Sequence, residues 1–186
     1  MSTLFNFHAL VILLAALVGV FLESTFTLPR ELLGAQINPL PALVIYTALQ
    51  SNLTTLTLLA ILGAIWQSTL SADPLGIAMA PLFFAGMLVV WNRSHFVRQQ
   101  WFARFVLGTA ASALVPMLVL FLLITLGYEP LLNWFSLWQW LVAAVGGGLL
   151  TLALFPLLDW AKGAVTYRAV QGGYRFAHER ASVDEP

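Results

Sequence analysis

The chain reads as a series of apolar runs separated by brief polar breaks. The first run extends from about Leu4 to Leu28, is interrupted by Asn6, His8 and Glu23, and is ended by Pro29, Arg30 and Glu31. It has neither the basic start of a secretory signal nor a following A-x-A cleavage site, so it is expected to be retained as a helix. Asn38-Pro39-Leu40-Pro41 then leads into Ala42 to Gln50, a short helix entered through a proline-rich turn, as proline is tolerated at a helix start. At about 12 residues it is too short to cross a hydrocarbon core of roughly 30 Å unaided. It is expected to pack inside a bundle or to tilt in a thinned bilayer. The third run, Leu53 to Leu70, carries Thr54, Thr55 and Thr57 near its start, where hydroxyls bond back to the preceding turn at little cost in lipid.

A turn is predicted at Ser71-Ala72-Asp73-Pro74-Leu75-Gly76, with Asp before Pro and Gly after. Asp73, Pro74 and Gly76 are its structural residues, Asp73 capping the turn before the fourth run. That run is Ile77 to Trp91, with Pro81 in its first turns. Asn92 to Arg104 is the most polar interior stretch, and Phe105 to Leu126 is the fifth run, with a kink predicted at Pro116. After Gly127-Tyr128-Glu129-Pro130, the stretch Asn133 to Trp140 sets Trp134, Trp138 and Trp140 as an aromatic belt at one interface. Leu141 to Leu158 is the sixth run and contains Gly146-Gly147-Gly148; Asp159 to Pro186 is polar and reads as a short helix that frays.

Composition decides what solvent these runs face. Of 186 residues, 60% are hydrophobic and only 9% charged, against about 25% charged in a soluble domain. A water-soluble fold of this size has no interior large enough for so much apolar surface, and disorder is excluded by the same figures. The solvent is lipid. The reading is all-α: a polytopic membrane protein, a six-helix bundle over residues 1–160 with a polar cytoplasmic tail over 161–186.

Charge fixes the expected orientation. Seven of the eight Lys and Arg fall in two places: Arg93, Arg98 and Arg104 between the fourth and fifth runs, and Lys162, Arg168, Arg175 and Arg180 after the sixth. The positive-inside rule makes both cytoplasmic, and six spans then place both termini inside. Formal net charge is zero, so there is no basic face for nucleic acid.

Candidate chemistry is sparse. Cysteine is absent and the three histidines lie far apart, which leaves no thiolate chemistry and no locally built metal site. No intramembrane carboxylate pair, H-E-x-x-H, G-x-S-x-G or Gly-Lys-Thr phosphate loop occurs, so neither an enzyme nor a cofactor is indicated. Each isolated polar residue has an ordinary expected role. His8 and Glu23 snorkel to interfaces, and Gln67 and Ser68 bond between helices. The small residues Ala143 and Gly147, and Ala144 and Gly148, are each spaced by four and let another helix approach closely, within the bundle or from a partner.

The order of these features resembles the rod-shape-determining protein MreD family. The likeness rests on the long first helix, the proline-entered second helix from Asn38-Pro39-Leu40-Pro41 through Tyr46 and Gln50, and Gly63 in the third. Ser71-Ala72-Asp73-Pro74-Leu75-Gly76 matches that family's S-x-x-P-L-G signature, and Arg93–Arg104 and Leu154-Phe155-Pro156-Leu157-Leu158 before a basic tail also fit, so the likeness spans roughly residues 4 to 165. Members often carry an Asp shortly before the turn; here Gln67 and Ser68 occupy that region.

The resemblance implies a non-enzymatic scaffold of the inner membrane in the cell-shape and peptidoglycan elongation machinery. It implies pairing with an MreC-like bitopic protein and a wider complex with MreB, RodA and a class B penicillin-binding transpeptidase. Ala143, Ala144, Gly147, Gly148, Arg93, Arg98 and Arg104 are the candidate partner-binding residues. The family's fold is similar to the substrate-binding subunits of energy-coupling-factor transporters, which supplies the alternative: a subunit that binds a small, vitamin-type solute.

Overall fold

A computed structural model describes residues 2–25, 31, 34–70, 74–92, 101–128 and 134–181, with side chains described from Ala9 to Ala161 within those ranges and at Gly163. The described residues form six helices and are all-helical in their regular structure: α1 (Ser2–Thr25), α2 (Leu40–Gln50), α3 (Leu53–Leu70), α4 (Met79–Trp91), α5 (Trp101–Thr125) and α6 (Trp134–Ala181). Three stretches are long and apolar enough to cross a membrane: Leu53–Leu70, Trp101–Thr125 and Trp134–Ala161. Ala9–Thr25, Leu40–Gln50 and Met79–Trp91 are shorter apolar helices.

The chain divides into two compact units, Met1–Leu154 and Phe155–Pro186. The second is the C-terminal part of α6, with Pro156 inside the helix and Leu157 and Trp160 exposed. The first contains everything that follows.

Its centre is α2. Every residue from Leu40 to Leu49 is buried, because α2 lies against α1, α3, α4 and α5. Of the two fates expected for so short a helix, packing inside the bundle is the one observed. Its start is built to leave few open donors. The Leu40 N–H donates to Asn38 Oδ1 at 2.9 Å, Pro41 has no N–H to satisfy, and the Leu43 N–H reaches the Pro39 carbonyl at 3.1 Å. Away from water an unpaired donor costs several kcal/mol, so this entry is a condition of burying the helix. Within it, the Thr47 hydroxyl donates to the Leu43 carbonyl at 2.7 Å.

Glycine allows the neighbours of α2 to close on it. A Cβ on Gly63 of α3 would lie 2.9 Å from Leu40 Cδ2, and one on Gly86 of α4 would lie 2.6 Å from Leu56 Cδ1 and 3.0 Å from Val44 Cγ1. The inward face of α3 is Thr55, Leu56, Leu59, Ala60, Gly63, Ala64 and Ser68, a helical spacing. Thr57 turns outward and donates to the Leu53 carbonyl at 2.9 Å, the local bond expected for it.

Long apolar side chains occupy the outside instead. Leu14, Leu17 and Phe21 on α1, Met117 and Phe121 on α5, and Leu141, Val145 and Leu149 on α6 are all exposed. In a bilayer large residues gain nothing from being inside, so an outward apolar surface of this kind suits lipid contact.

Several boundaries differ from the sequence reading, the second helix starting at Leu40 rather than Ala42. The fourth helix begins at Met79 rather than Ile77, because Pro74 to Ala78 forms a turn in which Ile77 N–H reaches the Pro74 carbonyl and Met79 N–H the Gly76 carbonyl. The fifth begins at Trp101, where nothing interrupts Trp101-Phe102-Ala103, so Arg104 is helical rather than part of a loop. The aromatic belt, the sixth run and much of the tail are one helix, Trp134–Ala181, as nothing but Pro156 interrupts it.

Candidate functional site

Five segments of the first unit meet around one cavity, four of them bearing polar side chains. The end of α1 brings Glu23, the approach to α2 brings Gln36 and Asn38, the end of α3 brings Gln67 and Ser68, the approach to α4 brings Ile77 and Ala78, and the second half of α5 brings Ser112 to Leu123. Together with Pro41 and Ala143 they line a half-open cavity of about 320 Å³. One side is polar; the other is the apolar wall of Val115, Pro116, Val119, Leu120 and Leu123.

Local bonds fix several of these groups. The Gln36 amide nitrogen donates to the Glu23 carbonyl oxygen at 3.2 Å, and Asn38 Oδ1 accepts from Leu40. The Ser68 hydroxyl donates to the Ala64 carbonyl at 2.8 Å and accepts from the Gly76 N–H at 3.0 Å. Gly76 sits at φ 78°, a conformation that favours glycine over any residue with a Cβ. Ser68 thus ties the end of α3 to the turn before α4. Its bond runs from helix to turn and within its own helix, not between helices as expected.

Two buried atoms on the lining have no hydrogen-bond partner among the described residues: Glu23 Oε2 and Ser112 Oγ. Glu23 is half-buried on the cavity, which corrects its assignment as a snorkelling residue. Ser112 is 4% exposed. One turn further on, Pro116 has no N–H to give the Ser112 carbonyl, and the neighbouring Ala113 carbonyl accepts from Trp140 Nε1 at 2.9 Å. Trp140 is therefore held against α5, while Trp134 and Trp138 stay exposed.

The glycine triple has three different neighbours, as successive residues of a helix point in three directions. A Cβ on Gly146 would come within 2.8 Å of Ile37 Cδ1. One on Gly147 would meet the Ser112 side chain. One on Gly148 would meet Thr109 Oγ1 and lie 2.9 Å from Phe105 Cε2, and across the seam one on Gly108 would meet Thr151. The close approach expected here is made by α5, within the bundle. The surface assigned to an outside partner at Gly147 and Gly148 is already occupied, since both are buried; Ala144 is buried too, and Ala143 lines the cavity. Further contacts bring the segment before α2 to the same helix: Gln139 Nε2 donates to the Gly34 carbonyl at 2.9 Å.

Of the remaining candidates, Arg104 is half-buried in the first turn of α5 and Pro74 and Gly76 form the expected turn. Arg93, Arg98 and Asp73 lie outside the described residues, as does the side chain of His8. Gln36, Asn38 and Ser112 were not legible as site residues. The available signal was Gly108, Ser112 and Pro116 at intervals of four, a small-residue row matching Ala143/Gly147 and Ala144/Gly148.

No protein-family model matches the chain, and no curated protein or solved structure matches it either.

Proposed function

We propose that this chain is a non-enzymatic, multi-pass scaffold of the inner membrane that serves the cell-shape and peptidoglycan elongation complex, as its resemblance to the MreD family implies. Six spans place both termini in the cytoplasm, with the Arg93–Arg104 segment and the basic stretch from Lys162 to Arg180 facing anionic lipid and cytoplasmic partners. An MreC-like bitopic protein is the direct partner, and through it the complex reaches MreB, RodA and a class B penicillin-binding transpeptidase.

The observation that carries this reading is α2: a proline-entered helix of 11 residues, enclosed by four others, at the place in the order of elements where the resemblance requires it. With Gly147 and Gly148 packed internally, the surface left for a partner helix is the outward row Leu141, Val145 and Leu149. Such a row recognises another helix by shape, because lipid and leucine are equally apolar.

A second reading is favoured by the cavity. A volume of about 320 Å³ with convergent polar groups also suits a solute-binding subunit of an energy-coupling-factor transporter.

Co-purification separates the two. The chain is co-expressed in one strain with an MreC-like bitopic protein and in another with an energy-coupling ATPase pair, then isolated in mild detergent. Stoichiometric co-elution with the bitopic protein, weakened by Val145→Trp, is expected. Co-elution with the ATPase pair alone would replace the scaffold by the second reading. A periplasm-only reporter fused after Pro186 is expected to stay inactive.

A further inference from the structure

We propose that the cavity bounded by Glu23 and Ser112 is a binding site for a small organic ammonium compound with an apolar flank. This goes beyond the scaffold reading and does not depend on it, since the lining belongs to one chain and one compact unit.

Four observations define the ligand's chemistry. The cavity, about 320 Å³, falls at the lower end of the roughly 300–1,000 Å³ usual for small-molecule sites. Glu23 is the only acidic or basic side chain lining it among the described residues, so a phosphate or carboxylate ligand meets an acid and no cation. Glu23 Oε2 is buried with no partner there, and a buried carboxylate is costly unless a positive or hydrogen-bond-donating group reaches it. The α5 lining, Val115, Pro116, Val119, Leu120 and Leu123, is apolar and suits an apolar flank. An unsatisfied buried oxygen on a residue lining a cavity is a pattern that a bound polar molecule resolves.

Orientation follows from the bonds already made. The Gln36 amide nitrogen donates to the Glu23 main-chain carbonyl, which holds Gln36 at the same end of α1 as the carboxylate. Asn38 Oδ1 is engaged by Leu40. An ammonium group placed beside Glu23 thus finds an acceptor, and its apolar flank lies along the α5 wall at Pro116. The same headgroup chemistry is offered by a free amine in solution and by an aminolipid.

The test uses the full chain in detergent and three probes of one shape: phenethylammonium, 2-phenylethanol and phenylacetate. Phenethylammonium is expected to bind at least tenfold more tightly than the alcohol by titration calorimetry, and phenylacetate not to bind. Glu23→Gln is expected to remove that preference. Equal affinity for amine and alcohol, tighter binding of phenylacetate, or unchanged amine binding in Glu23→Gln would each overturn the proposal. The three-probe comparison on the unaltered chain decides the matter even where a variant fails to fold. Nanodiscs identify the source: loss of phenethylammonium binding in phosphatidylethanolamine, but not phosphatidylcholine, assigns the site to a lipid headgroup; binding retained in both assigns it to a free amine.

Discussion

Two buried regions of the first unit are packed on opposite plans. Around α2, large side chains fill the space: Leu40, Leu43, Val44, Ile45 and Tyr46 are all fully buried. Between α5 and α6 almost nothing fills it, because Gly108, Thr109 and Ser112 face Gly147, Gly148 and Thr151. The difference follows from helix length. A helix of 11 residues, about 16 Å long at 1.5 Å per residue, cannot cross a hydrocarbon core of roughly 30 Å unaided, so it needs other helices on every side. Long helices reach both interfaces unaided, and what binds them to each other is backbone proximity. One region is held by side-chain volume, the other by its absence.

That contrast can be broken from either side. The largest effect is expected in the volume-filled region. Leu43→Ala, at a residue 1% exposed, removes packing atoms from a site that four helices surround, and a loss of about 2–5 kcal/mol is the usual range for such a change. Its thermal midpoint in detergent should fall well below that of the unaltered chain. In the seam the opposite substitution is the damaging one. Gly147→Leu adds volume where even a Cβ meets Ser112, and overpacking costs about 1–3 kcal/mol, occasionally more. The obstacle includes Ser112 Cβ, which is fixed to the α5 backbone, so the helices themselves must separate. Gly86→Ala sharpens the comparison. There the closest obstruction is Leu56 Cδ1, the movable end of a side chain, and alanine regains up to about 1 kcal/mol of helix propensity. Gly86→Ala should remain within about 1 kcal/mol of the parent while Gly147→Leu does not; equal losses at both sites would remove the distinction.

The sequence made the volume-filled region readable and the seam only half so. Asn38-Pro39-Leu40-Pro41 announces a helix start, and a short run without polar residues has to be enclosed. The turn at Pro74 and Gly76 was equally plain, as proline and glycine act through their own backbone. The glycine triple announced close packing but not its neighbour, because a small residue marks where something approaches and carries no information on what does. The start of the fifth helix at Trp101 was misplaced for a related reason: polarity was read as a break in structure, although charged residues continue a helix. The polar tail was read as helical, and only its continuity with the sixth run was missed. The cavity was the least legible. Glu23, Gln36, Asn38, Gln67 and Ser112 are far apart in the chain, each with an ordinary explanation, and only the packing of five segments brings them together.

The smallest effect belongs to the junction between the two regions and the cavity. Ser68 is 8% exposed, and its role can be measured against a carboxylate at the same position. Its hydroxyl accepts the Gly76 N–H at 3.0 Å while donating to the Ala64 carbonyl. Ser68→Ala leaves that N–H without its partner in a part-buried turn, at a cost of about 1–3 kcal/mol if water stays out and less if water enters. The carbonyl of Ala64 loses little, since it belongs to the helix. The expected result is a stability loss of about 1 kcal/mol, smaller than at Leu43 or Gly147, with faster amide exchange confined to Gly76 and its turn. Ser68→Asp is the informative partner. A carboxylate also accepts the N–H, and charge-assisted bonds are stronger, but it cannot donate to Ala64. If Ser68→Asp restores slow exchange at Gly76 while Ser68→Ala does not, accepting from the turn is the role of this position. Fast exchange in both variants would mean that the hydroxyl's bond to α3 holds the turn instead.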